Sequence, residues 1–327
     1  MERFAINDAV ARVIIMIALF ISLALAALPT NDELLSKRGT LFETAHHNLK
    51  FELFVPSNWQ PPSATAKRYP VIVFLHGRGE SGGFEINNAQ SLPLQLLTNR
   101  SFAASFPFIT VVPQCPRQCA MANHWLSTTL QSVTALVRDW VLHQPDAGNG
   151  GLGGERSKVY LAGQSMGGHG AWIYAAQQPR LFAAIVVVCG YMHGQREAKT
   201  IAERLRHDKV AVAIYHSADD VVIPVMAADQ AAEALKATGG YRLLPDSQAT
   251  EQHDKGLDLL FVRYDHAPGP PMPEFAHLSG HGSYELAFRD AALYSWLLRH
   301  ECVQRCASRP HAQWHALEGI EGDELRE

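Results

Sequence analysis

Apolar and polar positions along the chain fall into two alternating patterns. Short, mostly apolar runs recur at Val71–Leu75 (VIVFL), Ile109–Val112, Val159–Ala162, Ile185–Cys189 and Val210–Tyr215, and Leu259–Tyr264 reads as a further strand. A run of strand length that is apolar on both faces reads as a strand buried on both sides, as in a parallel sheet. Between these runs the apolar residues take a helical period. Helices are expected at Leu126–Leu142, with Val133, Leu136, Val137 and Trp140 on one side, at Gly167–Gln177, at Ala198–Arg206, at Met226–Ala237 and at Tyr284–Leu298. Ahead of them, Thr40–Val55 places Phe42, Leu49, Phe51, Leu53 and Val55 as the apolar set of an opening β-hairpin. Strands alternating with helices imply βαβ units. The pattern predicts a single α/β domain over residues 35–305, with a doubly wound, mainly parallel sheet and helices on both faces. No internal repeat and no composition shift divides it, and residues 306–327 read as a polar tail.

The N-terminus follows another logic. Val13–Leu28 (VIIMIALFISLALAAL) carries no charge, follows Arg3 and Arg12, and closes on Ala24, Ala26 and Ala27. A charged start, an apolar stretch and an A-x-A-like end are the layout of a secretory signal peptide over residues 1–27. A spanning helix needs roughly 20 apolar residues, so an uncleaved anchor is the less favoured reading. The expected location is the secretory pathway or outside the cell, with membrane contact only if this segment is retained.

Composition agrees with a globular chain: of 327 residues 47% are hydrophobic and 18% charged, and the formal net charge is −4. No basic block argues for nucleic acid as a partner. Cys115 and Cys119, and likewise Cys302 and Cys306, form two C-x3-C pairs, while Cys189 ends an apolar run and reads as a core thiol. In an oxidising compartment the four paired positions are expected to form disulfides, with three possible connectivities. Zinc held by four thiolates is the rival, disfavoured because neither pair has a zinc-ribbon context.

The chemistry centres on Gly163-Gln164-Ser165-Met166-Gly167. A bare G-x-S-x-G is a weak signal, but here it follows the strand KVYLA and opens a helix. Such a turn presents a serine hydroxyl at the carboxyl end of the sheet, so Ser165 is the candidate nucleophile. A serine needs a base and an orienting acid, in the order Ser, Asp or Glu, His. Asp219 and Asp220, just past the strand Val210–Tyr215, compete for the acid. His266, His277 and His281 compete for the base; His281 lies in the turn Ser279–Tyr284 before the last helix. A tetrahedral intermediate also needs donors for its oxyanion. The Gly-bracketed loop His76–Gly82 can turn a backbone N–H inward, which assigns that role to the N–H groups of Arg78 and Met166. No metal or organic cofactor is required.

Six stretches occur in order: FLHGRGESG (74–82), VVPQCP (111–116), KVYLAGQSMGGHGAW (158–172), PRLFAAIVVVCG (179–190), YHSADDVVIPV (215–225) and GHGSYELAFRDAALYSWLLRH (280–300). Together they resemble the carboxylesterase branch of the α/β hydrolases. That branch is the phospholipase/carboxylesterase and prolyl-oligopeptidase-like ("predicted peptidase") family, similar to feruloyl esterases and acyl-protein thioesterases. The resemblance covers roughly Thr40 to His300 and implies an α/β-hydrolase domain. It also implies a serine carboxylesterase with Ser165, Asp220 and His281 as its triad and Arg78 at the oxyanion position. Two departures stand out. Val221 follows Asp220 where the family often has proline, and Pro245–His277 is long and Pro-rich near Pro268–Pro273. The expected substrate is a small or medium soluble ester, with Trp125 either a cleft wall or a core residue. Thioester or peptide cleavage on the same triad is the nearest alternative. A catalytically dead binding protein on the same scaffold is a further one.

Overall fold

The computed structural model describes residues 28–63, 65–83, 91–143, 151–244, 257–270 and 277–302. The expected leader, the tail 306–327, Cys306 and parts of the long loops lie outside these residues. Helix α1 (Asn31–Ser36) opens on Thr30, whose side chain caps the Glu33 N–H while Glu33 caps that of Thr30 in return. Strands β1 (Leu41–His46) and β2 (Leu49–Phe54) then pair antiparallel, Leu41 opposite Phe54, as the expected hairpin.

The remaining strands are β3 (Tyr69–Leu75), β4 (Ile109–Pro113), β5 (Gly154–Gln164), β6 (Ala184–Val188), β7 (Ala211–Ser217), β8 (Tyr241–Leu244) and β9 (Leu257–Tyr264). Among the described residues they form one nine-stranded sheet in the order β1-β2-β4-β3-β5-β6-β7-β9-β8. It is antiparallel only where β2 meets β1 and β4. The helices are α2 (Leu92–Thr98), α3 (Arg100–Ser105), α4 (Arg117–Ala122), α5 (Ser127–Leu136, continued by a wider π turn to Val141), α6 (Met166–Gln177), α7 (Gly194–His207), α8 (Met226–Ala237), α9 (Ser283–Ala287) and α10 (Ala291–Leu298).

The unbroken apolar runs are explained by what covers them. In β3, Val71, Val73 and Leu75 pack into one core with α5, α6, α7 and α8, while Ile72 and Phe74 pack into a second with α2, α9 and α10. Each residue of Val71–Leu75 is therefore buried whichever way it points, which is the α/β-hydrolase arrangement. The expected last helix is broken in two. Asp290 accepts a bond from the Ala292 N–H at 2.8 Å and starts α10 afresh, as a helix-capping acid does.

Sheet order places the site. The chain leaves β3 towards β4 on one side, then crosses back to β5 on the other, with Leu75 of β3 paired to Gly163 of β5. A crevice opens at the carboxyl ends of strands at such a reversal. The loops after β3, β5, β7 and β9 all emerge at that edge.

Candidate active site

The turn between β5 and α6 is too tight for ordinary side chains. A Cβ on Gly163 would stand 2.1 Å from the Gly167 carbonyl oxygen, and one on Gly167 would stand 2.0 Å from that of Leu75. Ser165 sits at the turn with φ 53° and ψ −121°, a conformation that costs a non-glycine residue about 1–3 kcal/mol. Its N–H is bonded to the Val188 carbonyl at 3.0 Å and its carbonyl accepts the His169 N–H at 3.1 Å, which hold the strained geometry.

His281, at the start of the turn into α9, brings its Nε2 to 3.0 Å from Ser165 Oγ. Its Nδ1 lies 3.0 Å from Asp220 Oδ2 and 3.2 Å from Oδ1. The carboxylate is held from other sides too. Oδ1 accepts the N–H groups of Val222 and Ile223 at 2.8 and 2.9 Å. The fully buried His216 on β7 places Nε2 3.3 Å from Oδ2 and 2.8 Å from the Ile223 carbonyl oxygen. The carbonyl can only accept, so His216 carries its proton on Nε2. Burial by itself would push Asp220 up, but the hydrogen bonds of His216 and His281, the His281 charge and the Ile223 N–H hold it well below the usual carboxylate range.

Asp219 points elsewhere. It accepts from Ser217 Oγ, from the Ala267 N–H at 3.2 Å and from Ser279 Oγ at 3.4 Å, with His266 Nδ1 at 3.3 Å. The Ser217 bond, working against a smaller effect of burial, lowers its carboxyl. Asp219 thus ties the loops that flank His281 to one another. His266 is 87% exposed and His277 is exposed, and neither reaches Ser165.

The loop after β3 lies against the serine: a Cβ on Gly77 would be 3.6 Å from Ser165 Cβ. Arg78 is the next residue, and Met166 begins α6. Neighbours of β4 anchor the loop at several points. The buried His76 accepts the Cys115 N–H at Nε2, 3.0 Å, and has Nδ1 2.7 Å from the Gly77 carbonyl oxygen. Burial lowers His76 to about 4, so it stays neutral. Gly82 N–H donates to the Cys115 carbonyl at 2.8 Å, and Arg78 Nε to that of Ala120 at 2.9 Å. Cys115 and Cys119 are joined in a disulfide beneath this loop, Cys302 is also disulfide-bonded, and Cys189 is a buried free thiol. Trp125 is 3% exposed, with its indole N–H on the His76 carbonyl at 3.2 Å; it is a core residue that supports the loop from behind.

Three residues escaped sequence reasoning. His216 follows an apolar strand and stands four before Asp220, a buried polar residue at a strand end. His76 and Glu80 were visible as polar residues in a Gly-rich loop, but nothing in the order of residues says which way they face. Ligand atoms of Cys189, Asp220 and His281 also lie within 4.8 Å of one another. Burial pushes the Cys189 thiol up. His281 already bonds Asp220 on one side and Ser165 on the other, so the set fits proton transfer rather than an ion.

A family model described as "Putative esterase" matches residues 43–255. A search of curated proteins finds no match. Among solved structures, a thermostable esterase superposes with a TM-score of 0.54 at 21% identity, over 80% of this chain and 62% of that one. This chain therefore spans less than two thirds of that protein, and the likeness shows the fold. The feruloyl esterase module from Clostridium thermocellum gives a TM-score of 0.48 at 17% identity, over 88% of this chain and 98% of that one. The acylaminoacyl peptidase of Pyrococcus horikoshii gives 0.47 at 14% identity, over 84% and 42%.

Proposed function

The chain belongs to the "Putative esterase" family, and from that premise we propose that Ser165, His281 and Asp220 carry out its ester hydrolysis. The activity, carboxylic-ester hydrolysis, and the residue roles are our reading. The observation that carries it is His281, 3.0 Å from Ser165 Oγ on one side and 3.0 Å from Asp220 on the other.

Ser165 Oγ attacks the ester carbonyl carbon while its proton passes to His281 Nε2. Asp220, kept ionised by its donors, holds the Nδ1–H tautomer and offsets the imidazolium charge. The N–H groups of Arg78 and Met166 receive the oxyanion. The C–O bond then breaks, and the leaving alcohol takes the proton from Nε2. Water, deprotonated by the same nitrogen, attacks the acyl-enzyme and releases the acid and Ser165. The substrates are small or medium soluble esters. The Cys115–Cys119 disulfide supports a protein that matures in an oxidising compartment, in line with an exported chain.

Ser165→Ala is expected to keep the fold and to lower turnover of p-nitrophenyl acetate by several orders of magnitude. It should also abolish labelling by a fluorophosphonate. A folded variant that retains near-native turnover would rule Ser165 out.

A further inference from the structure

The mechanism above leaves one carboxyl group of the cleft without a role. Glu80 lies in the loop after β3, and its Oε1 accepts the side-chain amide of Gln164 at 3.3 Å. The backbone N–H groups of Gly77 and of Glu80 itself lie close enough to favour the charged form of this carboxyl group. Its Oε2 lies 3.0 Å from where a Cβ on Gly77 would be, so a side chain there would displace it. The Glu80 carbonyl in turn accepts Gln114 Nε2 at 2.6 Å, which fixes the residue to β4.

These bonds join the two segments that carry the oxyanion donors. Gly77 is the peptide neighbour of Arg78. Gln164 stands two residues before Met166. A backbone N–H has no rotor of its own, because the peptide plane is rigid, so it is aimed only by what fixes the peptides beside it. Two donors from separate segments converge only if those segments are locked together.

We propose that Glu80 is a positioning residue for ester hydrolysis: its half-buried carboxyl clamps the oxyanion loop to the nucleophile turn, so that the Arg78 and Met166 N–H groups meet at one point. This rests on the Ser165 reading. An acid that merely closed its own turn would need no partner from β5, whereas here Gln164 reaches across to it. Burial pushes the Glu80 carboxyl up, and the positive charge of His281 is among the influences drawing it down. Cys189 and Tyr284 are the other titratable groups coupled to it, and burial keeps both neutral.

The test is steady-state hydrolysis of p-nitrophenyl acetate by wild type, Glu80→Ala, Glu80→Gln and Ser165→Ala across pH, with melting temperatures measured alongside. Misaimed donors are lost in the transition state, so Glu80→Ala is expected to lower kcat at least about tenfold with KM within about twofold. Glu80→Gln, which keeps the shape and one acceptor oxygen, is expected to lose less. Its KM too should stay within about twofold of wild type. Unchanged kcat in both variants, a loss confined to KM, or a lowered melting temperature with native kcat would each overturn the proposal. If Glu80→Ala does not fold, Glu80→Gln decides through kcat against KM. An inactive wild type, or activity that survives Ser165→Ala, overturns the Ser165 reading and this one with it. An active wild type with unaffected Glu80 variants overturns this one alone.

Discussion

Two adjacent aspartates, identical in chemistry, take different work because a single peptide turn sends them opposite ways. Asp220 faces His281 and His216 and is wrapped by the N–H groups of Val222 and Ile223. Asp219 faces Ser217, Ala267 and Ser279. Removing the charge at each should therefore have distinct signatures. Asp220→Asn is expected to lower kcat about 10³- to 10⁴-fold, since an amide can donate to Nδ1 and so favour the wrong tautomer. Asp219→Asn is expected to keep kcat within about tenfold, because its bonds hold loops rather than the base. The two kcat values measured at pH 8 settle the assignment; a larger loss at Asp219 would reverse it. Neither Asp219 nor Asp220 is distinguishable from composition or spacing alone.

Among the elements, the β1–β2 hairpin carries an internal conflict. Glu43 and Glu52 stand directly opposite each other, and Glu52 is only 8% exposed with Oε2 unpartnered. Burial, then the charge of Glu43, raises Glu52 from 4.5 to about 7. A carboxyl whose folded value lies above its unfolded one favours the fold while protonated, and that contribution is lost as pH rises from 4.5 through 7. Above pH 7 the fold has to carry a buried, repelled carboxylate. Glu52→Gln removes that penalty, which is on the order of 3 kcal/mol from the size of the shift. Melting curves at pH 5 and pH 8 are expected to coincide for the two proteins at the lower pH and to separate at the higher, with the variant more stable. An equal difference at both pH values would place the effect in packing rather than in charge. At this same scale, the expected strands, hairpin and helix α8 agree with the structure because continuous apolar runs and a clean helical period leave little choice. Strand β8 (YRLL) and the short helices α2, α3 and α4 were not expected. They are too short to show a period, and their contacts with the rest of the fold stabilise them.

At the scale of the whole molecule, access to Ser165 follows from how little chain lies between strands. Residues 189–210 join β6 to β7 and hold only α7, which packs through Ile201, Ala202 and Leu205 into the core. No helical cap is built from that connection. The loop past Asp220 instead leaves Val221, Val222 and Met226 exposed. With no cap from that connection, we propose an open site without a long apolar tunnel. A series of p-nitrophenyl esters is expected to peak at short or medium acyl chains and to show no jump in rate as micelles form. A maximum at long chains, or a rate jump at the micellar threshold, would contradict the open site.

Sequence by itself determined the sheet and its class, because runs such as VIVFL are apolar on both faces and only a covered parallel strand uses them so. It also determined the serine turn, since Gly163 and Gly167 between a strand and a helix are needed for backbone to pass backbone at van der Waals contact. The resemblance singled out Asp220 and His281 from their neighbours, and the structure places His281 between Ser165 and Asp220. Tertiary structure alone decided which other polar residues turn inward. His76 and Glu80 gain Cys115 and Gln164 as partners from segments far away in the chain, and Trp125 is committed to the core by the loop it supports. A side chain's partners depend on where separate strands end in space. Spacing along one strand carries no record of that.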